Sequence, residues 1–175
     1  MSWSRNKDKD GRGEADRGEA GQGDAGRRGY HHGNLREALI KAALDLITAK
    51  GPAGFTFAEA ARAAGVSPAA PYRHFRDRDA LMADLARQGF QRFEAFLKTA
   101  WNEGRPDIFT AFGNLGKAYL AFARTEPAYY SAMFEAGIPL DDYPDLRLAG
   151  DRAFSILRDA SETLCQTLPK AARPP

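Results

Sequence analysis

Three observations predict an all-α fold. Apolar residues recur at helical spacing through most of 35–168, glycine and proline interrupt them where helices would end, and no stretch of alternating apolar and polar residues suggests a strand. The chain has 175 residues, 43% of them apolar, enough for a core. No run of eighteen apolar residues exists to cross a membrane, and the N-terminus lacks the apolar block of a secretory leader. Cys165, the single cysteine, cannot form an internal disulfide, which fits a cytoplasmic protein.

Residues 1–29 hold seven of the seventeen glycines, dense mixed charge and almost no large apolar residue apart from Trp3. Such a segment cannot offset the entropy of ordering and is expected to be a disordered tail. Its basic end, Arg27-Arg28, is suited to following a DNA backbone, or it simply precedes the first helix as a solvated leader.

The first helix is expected over Leu35–Lys50, with Leu35, Leu39, Ala42, Ala43, Leu46 and Ile47 on one face. Asn34 is suited to its N-cap with Glu37 three residues on, and Lys50-Gly51-Pro52 supplies a basic last turn and a stop. Thr56 with Glu59 then reads as a capping box opening a short alanine-rich helix. Gly65 ends it, Ser67 is placed to cap the next helix, and Pro68 takes the first helical position. Two short helices joined by a glycine turn form a helix-turn-helix.

Within the second of these helices, Tyr72, Arg73 and His74 carry hydrogen-bond donors on a solvent-facing arc, while Phe75 should turn inward. Donors of this kind suit phosphate oxygens, and Ala69 and Ala70 are small enough to lie against base edges. Ser67 belongs to the same DNA-facing set. Pro71 removes an N–H so early in the helix that a tightened first turn is expected. Asp77 opens a further helix. A separate long helix is expected from about 84 to 103, broken by Gly104-Arg105-Pro106, then a short one from Asp107 and another ending near Thr125. Glu126-Pro127 restarts the chain, residues 137–144 form a loop, and 145–168 form a last amphipathic helix.

The run from Thr56 through Glu59-Ala60-Ala61, Ala64-Gly65-Val66-Ser67-Pro68-Ala69-Ala70-Pro71-Tyr72-Arg73-His74-Phe75 to Arg76-Asp77-Arg78-Asp79-Ala80-Leu81 resembles the DNA-binding domain of TetR/AcrR-type transcriptional regulators. The resemblance is specific over about 30–85, and Glu126–Phe134 is similar to one C-terminal subgroup. It implies a helix-turn-helix domain over 30–82 followed by a helical effector-binding and dimerisation domain over 83–175. It also implies a homodimer on a double-stranded DNA operator, acting as a repressor that a small apolar effector releases. Carried over by position, Thr56, Tyr72, His74 and Arg78 would contact phosphates, and Ala69, Ala70 and Arg73 would face the major groove. Aromatic and apolar residues of the second domain, Phe93, Phe96, Trp101, Phe112, Tyr119, Phe122, Tyr130 and Met133, are the candidates to line the effector cavity, with ordinary core packing as their alternative. Beyond 168 the chain reads Pro169 to Pro175 with no further amphipathic helix, so the family's final dimerising helix lacks a counterpart. That leaves a second reading, a monomeric or interaction-only helical protein without operator binding.

Catalysis is not expected. The sequence has no glycine-rich phosphate loop and no pair of histidines on a helix face, and Cys165 has no histidine near it in sequence. No cofactor or metal site is predicted: His31-His32 and the loop acids Asp141, Asp142 and Asp145 read as solvated polar residues.

Overall fold

Helix α1 runs from Ala25 to Lys50 and therefore begins well before the residue expected to cap it. The computed structural model describes the backbone of residues 25–169 and the side chains from 35 onward. Asn34 lies inside the helix, so the expected cap with Glu37 is not its start. Each residue added to an existing helix gains a hydrogen bond without a new nucleation cost, and Ala25, Arg27 and Arg28 are good helix formers. The tail expected over 1–29 is thus helical from Ala25, and residues 1–24 lie outside the described part. So do residues 170–175, on which the expectation of a missing last helix partly rests.

Local chemistry explains the next elements. Gly51, at φ +77°, ends α1, its N–H donating to the Ile47 carbonyl at 2.8 Å. α2 (Phe57–Ala63) opens on the predicted capping box: Glu59 N–H donates to Thr56 Oγ1 at 3.1 Å, and Thr56 N–H donates to Glu59 Oε2 at 2.8 Å. Gly65, at φ +72°, makes the turn after it. The next helix is reduced to one 3-10 turn, Ala70–Arg73. Pro71 tightens it as expected, but Ser67 is not its cap; Ala69 precedes the turn without a capping side chain, and Ser67 only accepts the Ala70 N–H at its carbonyl, at 3.0 Å. With prolines at 68 and 71 the segment lacks two N–H donors, which is why a full α-helix does not develop.

α3 (Arg78–Trp101) starts at Asp77, whose carboxylate accepts the Ala80 N–H at 2.8 Å. It is one helix, not the two expected, and it passes unbroken through the predicted boundary between 82 and 83. Asn102, Glu103 and Gly104, all at positive φ, end it. α4 (Ile108–Thr125) starts at Asp107, which accepts the N–H groups of Phe109 and Thr110 at 3.1 and 3.0 Å, and it too is continuous where the sequence suggests two helices. α5 (Pro127–Phe134) uses Pro127 in its first turn, a 3-10 turn spans Leu140–Asp142, and α6 covers Pro144–Thr167. No strand occurs among the described residues.

The core of residues 33–169 is continuous. Leu39, Ala43 and Ile47 of α1 meet Phe57 and Ala60 of α2, Phe75, and Leu81, Met82 and Leu85 at the start of α3. The same cluster continues along α3 through Phe93 and Leu97 to Leu115 and Phe122 of α4 and Ala149 and Ala153 of α6. Each fully buried leucine or phenylalanine contributes about 1.5–3 kcal/mol relative to exposure. α3 is the central element, packed against α4, α5 and α6. At Gly89 the α5 helix comes so close that an added Cβ would lie 2.7 Å from Met133 Sδ.

Candidate nucleic-acid interface

The helix-turn-helix presents a run of unoccupied polar side chains. Tyr72 is 62% exposed, with the edge of its ring pair set against Phe57 (centroids 5.0 Å apart, planes at 87°), which holds it on the head and leaves its hydroxyl in solvent. Arg73 and His74 are exposed and make no ion pair or side-chain hydrogen bond among the described residues. Ser67 and Ala69 are exposed and Ala70 half-buried. The 3-10 turn thus brings Ala69, Ala70, Tyr72, Arg73 and His74 onto one short segment, while Phe75 is buried as expected. Exposed hydrogen-bond donors beside a small apolar step are what phosphate and base-edge contact require.

Two members of the predicted set have work inside the head. Thr56 is exposed, but its hydroxyl is committed to Glu59 as both donor and acceptor. Arg78 is engaged more fully. Its Nε donates to the Phe55 carbonyl at 3.0 Å, its Nη2 donates to the Pro52 carbonyl, its Nη1 pairs with Asp79 at 3.3 Å, and its guanidinium lies 4.9 Å from the centre of the Phe55 ring. It clamps the start of α3 to the loop between α1 and α2. Arg27 and Arg28 lie in the helical backbone of α1, and their predicted DNA contact falls outside the described side chains.

Electrostatics support the local order. Hydrogen bonds from Lys50 and from the Thr56 backbone and hydroxyl bring the Glu59 carboxyl down to about 2. Lys50 Nζ lies 2.9 Å from Glu59, tying the end of α1 to the cap of α2. The Ala80 N–H and then Arg76 hold Asp77 below the usual carboxylate range.

Sequence reasoning missed one polar cluster behind the head. Asp84 on α3, 13% exposed, accepts from Arg36 Nη2 of α1 at 2.6 Å, Arg87 Nη2 at 2.7 Å and Gln88 Nε2 at 2.8 Å. Gln88 Oε1 in turn accepts from the Tyr129 hydroxyl of α5 at 3.4 Å. The i, i+3 and i, i+4 spacing of Asp84, Arg87 and Gln88 is a visible signal; Arg36, 48 residues away, is not.

The predicted cavity residues are mostly packed on one another. Phe93 and Phe122 are fully buried with ring centres 5.1 Å apart, Tyr119 lies edge-on to Phe93 at 5.3 Å, and Phe96 meets Phe122 at 5.4 Å. Tyr130 meets Phe134 at a tilt, ring centres 4.8 Å apart, and Phe112 and Met133 pack half-buried against the same core. These rings pack on one another as a continuous aromatic cluster. Trp101 lines a cleft with Lys98 and Arg105.

Two family models match the chain: bacterial regulatory proteins of the tetR family over residues 39–85, and the tetracyclin repressor-like C-terminal domain over residues 112–173. The chain belongs to the TetR family. Its fold is that of a DNA-binding transcriptional regulator, with the helix-turn-helix on the N-terminal side of a helical domain. Among solved structures this TetR-family chain is similar to a protein of unknown function from Rhodococcus sp. RHA1, at 32% identity over 80% of this chain and 74% of that one, with a TM-score of 0.63. It shares its fold with the TetR family transcriptional regulator PfmR from Thermus thermophilus (18% identity, 75% and 73% covered, TM-score 0.62). The same holds for the fatty acid degradation regulator FadR from Bacillus halodurans (17% identity, 77% and 72% covered, TM-score 0.58). No curated protein matches the sequence. Among the described residues no helix is long and apolar enough to cross a membrane.

Proposed function

We propose that this TetR-family protein is a repressor that binds a palindromic operator as a homodimer and leaves it when a small molecule binds the helical domain. In this reading residues 30–82 form the DNA-reading head and 83–175 the effector and dimerisation region. The observation that carries it is the exposed Tyr72-Arg73-His74 segment. Its polar groups have no ion pair or side-chain hydrogen bond within the described chain, whereas Arg76, Arg78 and Arg87 nearby are all paired. An unpaired guanidinium flanked by two exposed hydrogen-bond donors favours an external anion. Tyr72 and His74 take phosphates; Arg73, with Ala69 and Ala70, takes the major-groove side. A two-fold dimer places its half-sites about one helical turn of DNA apart, roughly 34–36 Å.

Operator selection from random duplexes with the full chain, followed by anisotropy titration at several salt concentrations, tests the reading. Recovery of an inverted repeat is expected, and Arg73→Ala should weaken binding and flatten the salt dependence by about one phosphate equivalent if its contact is to the backbone, or relax the sequence preference if to a base. A strict monomer in sedimentation with no selected sequence would favour the interaction-only alternative.

A further inference from the structure

We propose that a cleft between α3, the Leu140–Asp142 turn and the first three turns of α6 binds an amphipathic organic cation, with an apolar body and one positively charged head. The proposal rests on the effector-release reading above and names the class of molecule that acts there. The cleft has a volume of about 630 Å³, suited to a small organic ligand. None of its lining residues belongs to the set predicted from the sequence.

Its floor is aromatic and aliphatic. Phe90 and Phe154 lie with ring centres 6.0 Å apart, both against Phe134, and Leu140 and Leu146 complete the apolar lining. Gly150 keeps this floor open: a Cβ there would meet the Phe90 ring at 3.7–3.8 Å, and a longer side chain would occupy the cleft itself. Phe154 is half-buried and Leu140 is 49% exposed, so both leave apolar surface uncovered.

The rim selects the head group. Arg147, the one cation among the described residues that line the cleft, is neutralised by Asp141 at 3.1 Å. The Asp151 carboxylate, on the same wall, makes no ion pair or hydrogen bond among the described residues. Asp142 and Asp145 line the adjoining cleft, and Asp145 offsets the positive end of α6. A carboxylate-headed ligand would meet net negative charge here. An ammonium head gains from Asp151 and from aromatic faces within about 6 Å.

The position also suits regulation. Leu146 lines this cleft and the adjoining one, of about 360 Å³, whose walls include Arg36, His74 and Phe75 of the head. A molecule that displaces Leu146 or the Leu140–Asp142 turn therefore acts on a wall shared with the DNA-reading segment.

Calorimetric titration of the full chain, without DNA, with dodecyltrimethylammonium and with dodecanoate below their micellar concentrations tests the proposal. The two probes share an apolar body and differ in head charge. The cation should bind at least tenfold more tightly. Asp151→Asn should reduce its affinity several-fold without weakening dodecanoate, and Gly150→Leu should abolish both. Equal affinity for the two probes, preference for dodecanoate, or cation binding unchanged in both variants would overturn the proposal. Circular dichroism of both variants checks that the helices persist, and Asp151→Asn, on an exposed site, keeps the test open if Gly150→Leu unfolds. Cation binding that leaves a protein–operator complex intact would count against effector release alone, whereas operator binding without cation binding would count against this site alone.

Discussion

Arg36 of α1 and Asp84 of α3 lie 2.6 Å apart, joining the first helix of the head to the central helix of the body. The same carboxylate holds Arg87 and Gln88, so one side chain gathers three donors. Asp84→Ala should lower stability by about 1–2 kcal/mol, below the value for a fully buried cluster because Arg36 remains 43% exposed. Faster amide exchange in α1, measured by hydrogen exchange mass spectrometry, is the expected local signature. Uniform exchange across the chain would show that the contact does not anchor α1.

The Thr56–Glu59 box should make the head sensitive to acid. Glu59 falls from 4.5 to about 2 in the folded chain, so its contribution is complete above pH 4.5 and is lost as pH drops towards 2. A melting curve series across that window should show Tm falling, and Glu59→Gln should flatten the fall. Thr56→Ala should cost about 1 kcal/mol at neutral pH, as expected for loss of an N-cap.

Arg73 and Arg78 should separate cleanly in a mutant pair. Arg78→Ala removes the clamp to Phe55 and Pro52 and is expected to lower Tm. Arg73→Ala removes an exposed, unpaired guanidinium and should leave Tm within about 1 °C while weakening DNA binding. Thermal melts beside anisotropy titrations read both effects; a stable Arg78→Ala protein would contradict the structural role.

Gly89 should resist even the smallest side chain. A Cβ there comes within 2.7 Å of Met133 Sδ and 3.3 Å of Tyr129 Cβ. Gly89→Ala should destabilise by about 1–3 kcal/mol through overpacking. Because Met133 is the flexible partner, Gly89→Ala combined with Met133→Ala should cost less than the sum of the single changes in denaturant unfolding.

What the sequence disclosed and what it hid follows from range. The capping box, Gly65, the Asp77 and Asp107 caps and Pro127 act within a few residues, and each is where the spacing places it. The joins are harder. The short helix from Asp107 and the one ending near Thr125 merge into α4 although Gly113 and Gly116 lie in its interior, because an interior glycine costs only about 1 kcal/mol, which burial of Ala111, Leu115 and Phe122 outweighs. Asp84 looks like a new helix start in an apolar run, but its three donors let α3 pass straight through it. The Arg78 clamp depends on carbonyls 23 and 26 residues away, which no local pattern reports. An aromatic side chain reads the same in sequence whether it faces a ring or a void, so Phe93 and Phe122 could not be told from cavity lining.

α3, uninterrupted from Arg78 to Trp101, acts as a stiff lever. Its 24 residues span about 36 Å. Pivoted at one end, such a rod converts a tilt of about 5° into a displacement of about 3 Å at the other, comparable to the reach of a hydrogen bond. With the pivot at Trp101, Phe90 near mid-helix moves about 1.4 Å, less than half as far as Arg78, so a small tilt of the rod is amplified towards the head.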